Sequence, residues 1–198
     1  MKKSKEFTIA IEDKIKWDEK YKQNPDLLKK RPASQKLIQV LNHISQGKVL
    51  EIACGTGRNS IYLAQNGFDI DAFDISSVAL NTLNEKGFSN IHTKQVDLEK
   101  YPLPNDYYNL IVMTNYLDRE LIPTLCSSLK KDGFIFIETY MEHPSNTKKH
   151  SNNNFLLQAN ELKTFFNTDF QVIEYDEFDN ESYEQFRMKK QSIIIKKL

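Results

Sequence analysis

Gly55 and Gly57 stand two positions apart, after the apolar run Val49-Leu50-Glu51-Ile52 and before a segment of helical spacing, residues 58–66. Strand, glycine turn and helix in that order bring backbone N–H groups and a positive helix end to the carboxyl edge of a sheet. Open α/β proteins hold phosphates, carboxylates and nucleosides there. Three ligand classes compete for this turn. A phosphate-binding P-loop needs a Lys-Ser or Lys-Thr pair after its last glycine, and Arg58-Asn59 follow Gly57 instead. A dinucleotide fingerprint needs a third glycine where Ser60 stands, so it is incomplete. A further nucleoside ligand is the third class. Asp74, 19 positions after Gly55, suits any nucleoside, because a carboxylate ending the second strand accepts hydrogen bonds from both ribose hydroxyls. Arg58 in a first helical turn opposes the helix dipole, and a ligand carboxylate would offset that cost. Cys54 and Cys126 have no metal-ligand spacing and read as reduced, packed side chains, so no metal is expected.

These residues need a scaffold, and the pattern from Lys48 onward supplies one. Residues 48–53, 68–74, 90–96, 108–114 and 133–140 read as strands. Between them, residues 58–66 and 76–86 read as helices closed by Gly67 and Gly87, and residues 119–131 as a helix with Leu121, Leu125 and Leu129 at spacings of four. Such alternation predicts βαβ units and a largely parallel sheet with helices on both faces. Residues 170–178 and 191–198 are strand-like, and the segment joining them is short for a parallel crossover. An antiparallel hairpin at the sheet edge is expected. Before the sheet, residues 11–22 and 33–44 look helical, the second with Leu37, Val40, Leu41 and Ile44 on one face. Residues 141–154, with Pro144 and four asparagines, form a polar surface loop ahead of a helix around residues 159–167.

The chain as a whole narrows the function classes. Its 198 residues suit one domain, residues 1–198, with 39% hydrophobic and 27% charged residues as in a soluble globular protein. No run approaches the ~18 apolar residues of a membrane span, and the charged N-terminus lacks a signal peptide's apolar stretch. A cytoplasmic protein is expected. The 27 basic and 27 acidic side chains give no surplus for neutralising phosphates, which argues against nucleic acid.

VLEIACGTG (49–57) resembles the first motif of the class I S-adenosylmethionine-dependent methyltransferases, and FDIDAFDIS (68–76) resembles their second-strand motif. VDLEKYPLP (96–104) is similar to the motif whose acidic residue meets the adenine amino group, which carries over to Asp97 with Leu98 beside the ring. WDEKY (17–21), residues 57–74 and ANELKTFF (159–166) resemble the small bacterial tellurite-resistance branch. The resemblance runs from Trp17 to the C-terminus. It implies a Rossmann-like, seven-stranded, mostly parallel sheet with an antiparallel last strand, residues 48–198, preceded by a helical lid, residues 1–47. It also implies S-adenosyl-L-methionine as cofactor, held by Glu51, Ala53, Gly55, Gly57, Arg58, Asn59, Asp74, Ile75, Asp97, Leu98 and Thr114. The acceptor would be a small molecule, such as a thiol or another soft nucleophile. TNYLDRE (114–120) follows the fourth strand, where this fold places the acceptor, and lacks the N/D-P-P-Y/F/W sequence of nucleic-acid amino methylation. Tyr21, Asn115, Tyr116, Tyr140 and His143 are the pocket candidates, and Asp118 is expected to cap the next helix. Asn109 replaces the aspartate common before the fourth strand, a structural position. A nicotinamide-dependent oxidoreductase and a non-catalytic nucleoside sensor are the competing readings.

Overall fold

The computed structural model describes residues 11–148 and 153–198. Residues 1–10 of the expected lid and 149–152 of the expected surface loop lie outside the described residues. Seven strands form one sheet: β1 (Lys48–Ile52), β2 (Asp69–Asp74), β3 (Ile91–Gln95), β4 (Tyr108–Thr114), β5 (Leu129–Tyr140), β6 (Phe170–Asp179) and β7 (Lys189–Lys197), in the order β3-β2-β1-β4-β5-β7-β6. Pairings among the first five are parallel, and β7 runs antiparallel to both β5 and β6. The last strand is thus antiparallel as expected. It lies inside the sheet, and its hairpin partner β6 forms the edge.

Among the described residues, five α-helices precede or connect the strands: α1 (Ile11–Gln23), α2 (Gln35–Val40), α3 (Arg58–Gln65), α4 (Ser77–Asn84) and α5 (Ile122–Ser128). Strand residues alternate between two apolar layers. Val49, Ile70, Ala72, Leu110 and Val112 pack with Leu37, Leu63, Leu80 and Leu83 from α2, α3 and α4. Leu50, Ile52, Ile111 and Met113 pack on the opposite face with Ile122 and Leu125 of α5. Each central strand is therefore buried on both sides, as parallel strands are. Asn109 Oδ1 accepts the Lys48 N–H at 3.1 Å, tying the start of β1 to β4, which is a structural task.

Three helices are markedly shorter than their sequence pattern, and residues 33–44 give α2 with a 3-10 turn, Leu41–His43, after it. Residues 119–131 give only α5, because Leu129 is extended (ψ 132°) and opens β5, with a register shift opposite Tyr108 and Leu110 and a left-handed Asp132. Residues 159–167 yield a 3-10 turn, Glu161–Phe165, entered through a left-handed Asn160. Burial of Leu129 and Leu162 fixes both segments more strongly than helical propensity does. No helix among the described residues is long and apolar enough to cross a membrane.

Candidate functional site

Strand order reverses between β1 and β4. The crevice beyond the carboxyl ends of strands at such a reversal is where open α/β sheets bind ligands. The chain leaves both strands through left-handed backbone, Ala53 (φ +50°) after β1 and Asn115 (φ +55°) after β4. Non-glycine residues in that region concentrate at functional sites. The N–H of Asn115 donates to the Glu138 carbonyl at 2.8 Å, which fastens this bend to β5.

From Ala53 the chain turns into α3 through Gly55 (φ +55°) and Gly57 (φ +76°). A Cβ on Gly57 would stand 2.4 Å from Leu83 Cδ1, and one on Gly55 would stand 2.8 Å from the Tyr21 hydroxyl. The turn is thus wedged between α4 and α1, and glycine is required by backbone angle and space together. Asp74 closes the turn from β2. Its Oδ2 accepts the Gly55 N–H and its Oδ1 the Ser76 N–H, each at 2.8 Å. Ser76, rather than Asp74, caps α4. Burial raises the Asp74 pKa, restrained by these N–H bonds and pushed further by the charge of Asp18.

Behind the turn runs a buried polar chain. Glu51 accepts from Asn59 Nδ2 at 3.0 Å and from the Ser60 hydroxyl. Burial pushes its pKa up to about 7, against hydrogen bonds from Ser60 and Asn59 and the charge of Arg58. Asn59 Nδ2 also donates to Thr114 Oγ1, while its Oδ1 accepts the Ser34 N–H, both at 3.0 Å. The Ser34 hydroxyl, which caps α2, donates to Glu138. One network therefore joins β1, α3, β4, α2 and β5. Ser60 holds α3 against β1 through Glu51, where a dinucleotide fingerprint would use close glycine packing.

The crevice is flanked by three further segments. After β3, Asp97 and Leu98 are buried, and Asp97 Oδ2 accepts from Lys100 Nζ at 2.9 Å. The carbonyl of Ile75, beyond β2, accepts from Gln95 Nε2 at 2.9 Å. Helix α1 crosses the edge: Asp18 accepts from the hydroxyls of Ser76 (2.7 Å) and Ser77 (3.0 Å) and the Val78 N–H (3.2 Å). A carboxylate at a helix N-terminus is favoured by the dipole and by the unpaired N–H groups. Burial works against this charge, but Lys14 and the three α4 donors hold the Asp18 pKa well below the carboxylate range. One turn on, Tyr21 is buried above Gly55, and burial together with the charge of Asp74 keeps its phenol protonated.

The acceptor candidates scatter. Asn115 and the half-buried Tyr116 follow β4 beside the crevice. Asp118 accepts the N–H groups of Glu120 and Leu121 ahead of α5, close to the capping role expected of it. Tyr140 ends β5 and donates to Glu184 at 2.5 Å, with Lys190 Nζ 4.9 Å from its ring centroid. His143 lies in an exposed turn, its ring engaged by Ser145 at 2.7 Å, and the structure does not bring it together with the others. Cys54 is buried, and burial raises its thiol pKa well above normal, which suits packing and not nucleophilic chemistry.

Several contacts here carry no sequence signature. Fully buried Lys190 meets Glu138 (3.3 Å), Glu181 (2.8 Å) and Glu184 (3.0 Å). Arg58, its side chain 8% exposed, stands 3.7 Å from Glu138 and 3.6 Å from Glu181. These partners are separated by up to 123 positions and converge only on folding. Ser34 did have a local signal, since it precedes the apolar pattern of α2 as a cap should. Among the described residues, two buried side-chain nitrogens have no hydrogen-bond partner, Arg31 Nε and Arg58 Nη2.

A family model described as "Tellurite resistance protein TehB" matches residues 14–193. A probable S-adenosyl-L-methionine-dependent methyltransferase TehB from Haemophilus influenzae is 32% identical over 143 residues, which are 68% of this chain and 49% of that protein. The crystal structure of TehB from the same organism superposes with a TM-score of 0.73 at 26% identity, covering 83% of this chain and 62% of that one. An S-adenosylmethionine-dependent methyltransferase from Methanosarcina mazei shares the fold, with a TM-score of 0.67 at 14% identity and coverage of 85% and 99%. The chain spans about half the length of the TehB proteins it matches in sequence.

Proposed function

Since the chain belongs to the tellurite resistance protein TehB family, we propose that it is an S-adenosylmethionine-dependent methyltransferase acting on a small molecule. The observation that carries this reading is the joint of Gly55 and Asp74 at the reversal of strand order, 2.8 Å apart through one hydrogen bond. It joins a carboxylate with spare lone pairs to a turn of left-handed glycines, the pairing that would serve a ribose and its tail. The residues fit the cofactor in other respects. Asp74 keeps lone pairs for ribose hydroxyls, and Asp97 and Leu98, both buried after β3, are the residues the family resemblance gives to the adenine.

When bound, the cofactor supplies an electrophilic methyl group on a sulfonium, open to in-line displacement. The chain's own work is positioning. Asp74, Ile75, Asp97 and Leu98 fix the nucleoside; Gly55, Gly57, Arg58 and the network through Glu51, Asn59 and Thr114 fix the tail. Asn115, Tyr116 and Tyr140 border the space for the acceptor. Holding two reactants at near-attack distance contributes about 7–11 kcal/mol, so a soft, already anionic acceptor needs no general base. Residues 11–47 act as a lid over residues 48–198, with Tyr21 excluding water above the turn and Asp18 latching α1 to α4.

Calorimetry with S-adenosylhomocysteine and with NAD tests the cofactor. Binding of NAD alone would overturn the proposal in favour of an oxidoreductase. Asp74→Ala is expected to weaken S-adenosylhomocysteine about 10- to 100-fold through lost charge-assisted hydrogen bonds, and unchanged affinity would remove the ribose assignment. Radiolabelled methyl transfer to thiols, amines, carboxylates and chalcogen oxyanions then separates an enzyme from a sensor.

A further inference from the structure

Residues 96–107 join β3 to β4 without a helix, whereas α5 packs over the neighbouring strands on one face of the sheet. On that face the outer strands β2 and β3 lie uncovered by any helix among the described residues. Asp71 and Phe73 of β2 stand in register with His92 and Lys94 of β3, so all four side chains share it. Together with Tyr101, Tyr107 and Tyr108 they line a cleft of about 380 Å³. Small-molecule pockets span about 300–1,000 Å³.

The cleft is built from aromatic rings. Phe73 and Tyr108 form its buried floor, and Tyr107, 45% exposed, stands at its rim. Phe73 meets Tyr101 edge to face, with centroids 5.3 Å apart, and Tyr107 meets Tyr108 in the same way at 5.0 Å. The two pairs hold the rings in fixed orientations, and a further flat ring can stack or insert edge-on among them. Charge narrows the choice. Asp71 is answered within the wall, its Oδ2 accepting from the Tyr108 hydroxyl at 3.0 Å and its Oδ1 lying 2.6 Å from Lys48 Nζ. His92, at the mouth, is held by Asp69 at 2.8 Å. Lys94 is different. Its Nζ lies 4.5 Å from the Tyr101 ring centroid and donates to the Tyr101 hydroxyl at 2.5 Å, and among the described residues it has no carboxylate partner. A neutral phenol and a ring face orient an ammonium without neutralising it.

We infer that this cleft is a second small-molecule site and that its ligand is a planar aromatic anion, an aryl carboxylate, with its ring among Phe73, Tyr107 and Tyr108 and its charge on Lys94. An aromatic cation fits less well, because Lys48 already neutralises Asp71 and Lys94 would repel it. The site stands independently of the methyltransferase reading. It shares a wall with the crevice at the strand reversal, since Phe73 precedes Asp74 and the Tyr101 N–H donates to the Asp97 carbonyl at 3.0 Å, so a test must keep the two apart.

The full isotope-labelled chain should be titrated with naphthoate, naphthylmethylammonium and cyclohexanecarboxylate and followed by two-dimensional NMR. Naphthoate is expected to saturate with a Kd of about 1 mM or tighter, as a ligand of its size allows, and to shift the amides of residues 71–73, 92–94 and 101. The ammonium and the aliphatic acid should each bind about fivefold more weakly or worse. Lys94→Gln should weaken naphthoate about two- to fivefold, and Tyr107→Ala about three- to tenfold. Both side chains are exposed, so both variants should fold. Saturating S-adenosylhomocysteine should leave naphthoate bound. Failure of naphthoate to saturate, equal binding of either comparison compound, or wild-type affinity in either variant would overturn the assignment. Displacement by S-adenosylhomocysteine would overturn it too, by putting the probe in the crevice.

Discussion

Glu51 is a carboxyl group enclosed by its own network, and its proton has a visible linkage to folding. Its folded pKa of about 7 lies above its ordinary value of 4.5, burial being the dominant cause. The folded state thus holds the proton more tightly than the unfolded chain. The associated stability is fully present below about pH 4.5 and is lost as pH rises through 7. Glu51→Gln keeps an acceptor for Asn59 while removing the titration. Chemical denaturation from pH 4.5 to 8 should show the wild type losing as much as about 3 kcal/mol relative to this variant, and parallel pH profiles would refute the assignment. At Asp74 burial also raises the pKa, and backbone N–H groups on both its oxygens restrain that rise. Much of this was legible in sequence: the glycines, Asp74 and Asp97 follow from spacing or resemblance. The raised pKa of Glu51 was not, because it comes from burial that exists only once β1 is packed between its neighbours, against the hydrogen bonds of Ser60 and Asn59.

At the scale of elements, the contact of α1 with α4 decides whether the proposed lid is ordered. It is made largely by one polar residue, Asp18, which satisfies Val78 N–H and two serine hydroxyls. Ile11 and Ile15 remain 65% and 49% exposed, so apolar burial contributes little to holding the first turns of α1 down. Asp18→Ala should therefore free the helix more than it destabilises the core. The expected loss is about 0.5–2 kcal/mol, as for other capping residues, with faster amide exchange in residues 77–79 and weaker S-adenosylhomocysteine binding. Wild-type exchange and affinity in the variant would dismiss the latch. Sequence located α1 and α2 by their pattern, and WDEKY by resemblance, but gave Asp18 no task. A carboxylate serving as the cap of another helix 58 positions away leaves no periodic trace.

Across the whole molecule, Lys190 is the cation on which the far side of the crevice depends. Burial opposes its charge, but Glu138, Tyr140, Glu184 and Glu181 hold its pKa above normal. Lys190→Met would leave three carboxylates close together, with Glu138 fully buried. Removing one partner of a buried ionic cluster costs about 3–5 kcal/mol. The variant should unfold at correspondingly lower denaturant concentration, and an unchanged midpoint would show that the cluster contributes nothing net. The same residues bind the segment between β6 and β7 to the sheet, so this loss should also loosen residues 180–188.

The sequence by itself determined the α/β alternation, the glycine turn, the carboxylate ending β2 and the antiparallel last strand. Each depends on local period, on glycine's backbone freedom or on a short spacing. Only the tertiary structure decided that β7 lies inside the sheet, that α5 yields to β5 at Leu129, and that Asp18, Ser34, Glu138 and Lys190 converge on one edge. These outcomes depend on burial and charge shared between segments far apart in the chain, and such energies exist only once the segments meet.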